Sequence, residues 1–187
     1  MQAKHKNRLI ILLVFLLFAV PVIVAYMLAT GLINLNYDKT KNNGVMISPP
    51  IKMVKISKAP WVTELNDHWT LVYRTAEVCQ QNCLEWEDKL HRFNLTLAQN
   101  ADKLELLILA KDFQLPNDDP YTHIKKVAIA DDVALNRLFD ELSTQSYGDG
   151  EGLYVVAPEG YLMMAFRPEN TPSDIIKDLK LLVKRKG

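Results

Sequence analysis

The chain has 187 residues, 49% of them apolar, with 22 basic side chains balanced by 22 acidic ones. That length suits one domain with appendages, and the zero net charge excludes a nucleic-acid binder held mainly by phosphate contacts. Seven glycines and nine prolines are too few for a fibrous chain. Two cysteines can build neither a disulfide-rich scaffold nor a zinc site made of thiolates alone.

The apolar residues are concentrated near the start. In residues 9–33, 22 of 25 are apolar, Pro21, Thr30 and Gly31 being the exceptions, and no charge falls between Arg8 and Asp38. About 20 apolar residues in a helix span the hydrocarbon core of a bilayer, so the stretch predicts a transmembrane anchor. Lys4, Lys6 and Arg8 precede it and neutral residues come after it. The positive-inside rule then leaves residues 1–8 in the cytoplasm and carries the rest across the membrane. A cleaved signal peptide ending at Ala29-Thr30-Gly31 is the competing reading, but its apolar region would be shorter. Either way the globular part lies outside the cytoplasm. It is mildly acidic, because three of the basic residues stay behind.

Residues 34–60 read as a linker. Asn42-Asn43-Gly44 signals a turn, Pro49-Pro50 favours extended polyproline geometry, and Val45-Met46-Ile47 can dock on the domain. The domain proper is expected over residues 61–187. Residues 69–73, rich in aromatic and β-branched side chains, predict a strand. Cys83, Trp86, Leu90, Phe93 and Leu97 recur at helical spacing and form one apolar seam. Residues 104–110 form the continuous apolar run of a strand covered on both faces.

Residues 111–123 carry Pro116 and Pro120 and read as loop, followed by a short strand at 127–129. Asp131-Asp132 opens a helix with Leu135, Leu138, Phe139 and Leu142 on one face. Two strands, 153–156 and 161–166, are joined by Ala157-Pro158-Glu159-Gly160, a composition suited to a type I turn. Thr171-Pro172-Ser173-Asp174 opens the last helix, with Thr as N-cap, Pro at the first position and an acid at the third. This order of elements predicts a thioredoxin-like α/β fold, a central mixed sheet flanked by helices, behind one transmembrane helix.

The cysteines fall where such folds place their chemistry. Cys79 and Cys83 lie just past the first central strand, at the mouth of the first long helix. The helix dipole there stabilises a thiolate, which predicts an exposed, reactive Cys79 and a recessed Cys83 one turn on. That pair suits dithiol–disulfide exchange. Two thiolates so spaced can also grip a soft ion, copper above all, and a purely structural disulfide stays open as well.

The segments Tyr73–Cys83 and Gly152–Gly160, with the single upstream anchor, resemble the Sco/SenC group of thioredoxin-like proteins. The match covers residues 69–186, and Asn43-Gly44 through Pro49-Pro50 are similar to the linker of short membrane-anchored relatives associated with bacterial cytochrome oxidase assembly. The resemblance implies delivery of copper to, or thiol reduction of, the binuclear copper centre of cytochrome c oxidase, with Cys79 and Cys83 as the copper or redox thiols. It also implies partners among oxidase subunits and assembly factors, beside membrane lipid, and a single-pass inner-membrane protein with its domain on the periplasmic side.

Two features depart from the group. The resemblance calls for a third copper ligand, a His before the C-terminal hairpin, and residues 145–151 hold none; a cis-proline is absent there too. His5 is cytoplasmic, His68 precedes its strand and His91 lies two turns down the helix, so His123 in the long loop is the remaining third-ligand candidate. The missing His weakens a three-coordinate copper site more than dithiol chemistry. The sequence therefore reads as a thiol–disulfide oxidoreductase of oxidase biogenesis, with a Cu(I) chaperone and a non-catalytic scaffold as the alternatives.

Other signals are weaker. The sequon Asn94-Leu95-Thr96 sits inside a helix, the glycines of 148–152 follow a helix rather than a strand, and Asn117-Asp118-Asp119 offers too few oxygens for calcium.

Overall fold

A computed structural model describes residues 8, 14–23, 26–27, 42–65, 67–114, 120–146 and 151–184. The chain divides into two units, residues 1–41 and 42–187. In the first, residues 14–23 are helical, and Phe15, Leu17, Phe18 and Val22 turn their side chains outward. Among the described residues no helix is long and apolar enough to cross a membrane. The span expected at 9–33 extends beyond them at both ends.

The second unit is built on a six-stranded sheet of order β1-β6-β5-β2-β3-β4. The strands are β1 (Val45–Lys52), β2 (Trp69–Arg74), β3 (Leu104–Ala110), β4 (Lys125–Ala128), β5 (Gly152–Val156) and β6 (Tyr161–Phe166). Strands β2, β3 and β4 run parallel, whereas β5, β6 and β1 add on antiparallel. The helices are α1 (Met53–Ile56), α2 (Pro60–Thr63), α3 (Gln81–Thr96), α4 (Val133–Ser146) and α5 (Pro172–Lys184). This is the mixed-sheet, thioredoxin-like arrangement that the element order predicts.

Strand alternation sorts the core into two layers. Leu71, Tyr73, Leu106, Ile108, Leu153 and Val155 face α3 and α5, where they meet Leu90, Phe93, Leu179 and Leu182. Val72, Leu107, Leu109, Tyr154 and Val156 face the opposite side, against Met53, Trp61, Leu135 and Phe139. Burial on both faces explains why 104–110 is an unbroken apolar run. On the second side Arg74, 2% exposed, reaches Asp140 Oδ1 at 2.6 Å. Burial pushes the Tyr154 phenol up to about 12 against the lowering effect of Arg74.

Residues expected as linker belong to the sheet. Val45–Lys52 pairs with β6, and Asn43 and Gly44 just before it donate their main-chain N–H groups to Asp178 Oδ2 at 2.7 and 2.8 Å. Asp178 is 1% exposed on α5. A buried carboxylate needs such donors, and the entry to β1 supplies them. Gly44 fits because a Cβ there would come within 2.8 Å of Met164 Sδ and 2.9 Å of Phe166. The pairing is interrupted between Met46 and Ile51, so Ile47–Pro50 bulges opposite Met163. At the other end Ala157–Gly160 closes the expected turn, with Gly160 N–H donating to Ala157 O at 2.8 Å and Gly160 at φ 75°.

Candidate functional site: the Cys79–Cys83 disulfide

Strand β2 ends at Arg74, and a short bent stretch carries the chain to Cys79 before α3 begins at Gln81. The four-residue spacing sets the two Cα atoms 5.4 Å apart, and the sulfurs are joined in a disulfide. The pair stands at the carboxyl end of a central strand.

The expectation of an exposed Cys79 does not hold. Cys79 is 0% and Cys83 2% exposed. The reason is the segment after β3. Cys79 N–H donates to Asp112 O at 2.7 Å, and Gln114 N–H donates to Cys79 O at 2.9 Å. Cys79 and Phe113 thus form an isolated parallel bridge, in effect a continuation of the β2–β3 ladder. Phe113 packs against the core cluster that contains both cysteines, and Gln80 Nε2 donates to Gln114 Oε1 at 2.9 Å across the same junction. Residues 111–114 read as loop from their sequence, and nothing local announces that their backbone covers Cys79.

Beside the disulfide, the ring of Tyr73 stacks on Trp86 with centroids 4.4 Å apart, and Lys89 Nζ lies over the indole. Both aromatic residues line a cleft of about 310 Å³ with Glu151, Gly152, Phe166 and Arg167. Burial, then the charge of Glu151 and its hydrogen bond, push the Tyr73 phenol far above its ordinary value, so it remains a neutral donor. Glu151 sits in the segment where the resemblance calls for a histidine, and Thr75 Oγ1 lies 3.5 Å from its Oε1. Sequence reasoning missed Glu151, Trp86 as a stacking partner and Gln114. Trp86 alone left a signal there, as a member of the helical seam.

The histidines are distributed differently from the third-ligand expectation. His123 precedes β4, at the amino end of the parallel strands, whereas Cys79 follows the carboxyl end of β2. The structure does not bring them together. Instead His123 Nε2 lies 3.1 Å from His91 Nδ1. His68 Nδ1 stands 3.7 Å from Glu105 Oε1 at the same amino end. Among the described residues no group of three or more His, Cys, Asp or Glu is placed to hold a metal ion. Residues 117–119 and the 148–150 part of the glycine-rich stretch lie outside the described residues, and Asn94 points its side-chain amide at Ala101 O, 2.9 Å away, within the fold.

A family model described as transmembrane-like, thioredoxin-like, C-terminal domain matches residues 69–185. No curated protein sequence matches the chain. Similar solved structures include yeast Sco1 with copper bound, at 16% identity and TM-score 0.49 over 67% of this chain and 84% of that one. Bradyrhizobium japonicum ScoI with copper bound is 18% identical over 65% and 88%, with TM-score 0.42. BsSco, described as a member of the Sco family of cytochrome c oxidase assembly proteins with a disulfide switch, is 17% identical over 66% and 85%, with TM-score 0.45.

Proposed function

The chain belongs to the transmembrane-like, thioredoxin-like family, and from that premise we propose that it is a membrane-anchored thiol–disulfide exchange protein of cytochrome c oxidase biogenesis. The Cys79–Cys83 disulfide at the β2–α3 junction carries the reading. The resemblance of Tyr73–Cys83 and Gly152–Gly160 to the Sco/SenC group supplies the oxidase as target. Residues 9–33 hold the protein in the inner membrane, and the domain works on the periplasmic side. The outward apolar side chains of residues 14–23 support that anchor.

The chemistry needs no other group. A partner's thiolate attacks one sulfur of the pair, the Cys79–Cys83 bond breaks, and the leaving sulfur takes a proton. The partner's second thiolate then displaces the mixed disulfide, so two electrons and two protons pass to this chain and the partner gains a disulfide. In reverse, the reduced pair opens a disulfide in the partner, with Cys79 attacking and Cys83 resolving. Access to Cys79 requires the Asp112–Gln114 backbone to lift, because two main-chain hydrogen bonds hold it there.

The test counts thiols in the full-length chain, in detergent, across a glutathione series. A two-electron transition that disappears in Cys79→Ser and Cys83→Ser is expected. Absence of any such transition overturns the proposal. If the reduced form opens no disulfide yet retains Cu(I) against a chelator, a copper-carrier role replaces it.

A further inference from the structure

A second chemical feature lies at the opposite end of the parallel strands. His91, on α3, and His123, in the turn before β4, face each other through Nδ1 and Nε2 at 3.1 Å. Two further contacts hold their supports in place. Tyr121 OH donates to Asp88 Oδ1 at 3.0 Å, and Arg92 Nε donates to Asp88 Oδ2 at 2.7 Å. Desolvation would raise the Asp88 carboxyl, but the hydrogen bonds from Tyr121 and Arg92 outweigh it and keep the group ionised as the acceptor of both. Ile124, 3% exposed, anchors the same turn in the core, and its N–H donates to Tyr121 O at 3.0 Å. The Tyr121 ring packs 5.2 Å from that of His91.

We infer that His91 and His123 form a two-imidazole site for a borderline divalent cation, with Cu(II) the tightest occupant. Facing ring nitrogens 3.1 Å apart can share one positive centre, a proton on the line between them or a metal displaced to one side of that line, whereas two imidazolium rings would repel. With metal–nitrogen bonds of about 2.0–2.1 Å, that separation subtends about 100° at the ion, the angle of two adjacent ligands in a tetragonal or tetrahedral shell. Imidazole suits copper, nickel and zinc, and divalent copper heads the affinity order. The pair is solvent-accessible, so water or donors of a partner complete the shell. The site is separate from the cysteines and goes beyond dithiol exchange.

The experiment uses the full-length chain in detergent with the disulfide kept oxidised, so that neither cysteine offers a thiolate. His5→Gln and His68→Gln remove the other imidazoles. Copper(II) is titrated against glycine as competitor, and the bound ion is read by electron paramagnetic resonance, with Zn(II) as the displacing ion. One Cu(II) per chain, a hyperfine pattern from two imidazole nitrogens and weaker Zn(II) competition are expected. Adding His91→Gln or His123→Gln should weaken binding by about tenfold or more. Unchanged affinity in either variant, or a spectrum without two imidazole nitrogens, overturns the inference. If a variant loses its circular dichroism signal, the spectrum of the background chain decides alone. A negative result here leaves the thiol titration untouched, and the reverse also holds.

Discussion

Lys126 Nζ lies 3.2 Å from Glu87 Oε1, pairing a lysine of β4 with a carboxylate of α3 that is fully buried. Glu87 stands one helical turn beyond Cys83, inside the layer that carries the disulfide. Such a pair adds little net stability over an apolar pair of the same size, yet breaking it from one side leaves a buried charge. Lys126→Met is therefore expected to lower unfolding free energy by about 3 kcal/mol in denaturant titration. The double variant Glu87→Leu with Lys126→Met should recover most of that loss, and failure to recover would show that Glu87 does more than answer Lys126.

The cover over Cys79 makes a kinetic prediction. Gln80 and Gln114 join their side chains across the junction at 2.9 Å. A hydrogen bond of this kind contributes roughly 0.5–1 kcal/mol, so Gln114→Ala should speed reduction of the disulfide by a small phosphine about threefold. The melting temperature should fall by no more than about 2–4 °C. An unaltered rate would mean that the sulfurs are reached from another side.

Helix α5 begins with a reciprocal cap. Thr171 N–H and Oγ1 donate to Asp174 Oδ2 at 3.1 and 2.7 Å, and Asp174 N–H donates back to Thr171 Oγ1 at 3.3 Å. The hydrogen bonds from the Thr171 side chain and backbone hold the Asp174 carboxyl below its ordinary 3.8. A group depressed on folding stabilises the fold above its unfolded value, and that contribution is lost as pH falls through the folded one. Asp174→Asn should flatten the acid limb of the stability curve below about pH 4 and leave its slope near neutrality unchanged, as thermal melts across pH will show.

Asp178 gathers three donors from Asn43 and Gly44, the side-chain amide included at 3.0 Å. Asp178→Ala strands two main-chain N–H groups and should cost about 2–3 kcal/mol. Limited proteolysis should then cut first at residues 42–50, ahead of any cleavage within β2 or β3.

How far these features are legible in the sequence depends on the range of the forces involved. Periodicity and caps are local, so the strand at 69–73, the seam from Cys83 to Leu97 and the Thr171–Asp174 cap are all legible. The apolar 104–110 run announces a central strand because burial on both faces leaves no alternation. Long-range satisfaction is not local. Asn43 meets Asp178 across 135 positions, and nothing near residue 43 announces that carboxylate, so the stretch reads as linker. Cys79 and Cys83 stand out because residue type and spacing carry their chemistry. Their burial does not, because it depends on the backbone of residues 112–114. His91 and His123 look unrelated when each is weighed alone, and only the return of the chain before β4 makes them neighbours.

The bulge in β1 has a consequence for how copies of this domain meet. Ser48, Pro49 and Pro50 are exposed on the outer strand, and neither proline has an N–H to offer. The opposite margin is the four-residue β4, whose Lys125 is tied to Glu64 by an ion pair. Both rims are therefore poor templates for another strand. Copies of the domain brought close together would collide without zipping their sheets, and the six-stranded sheet is a poor seed for fibrils.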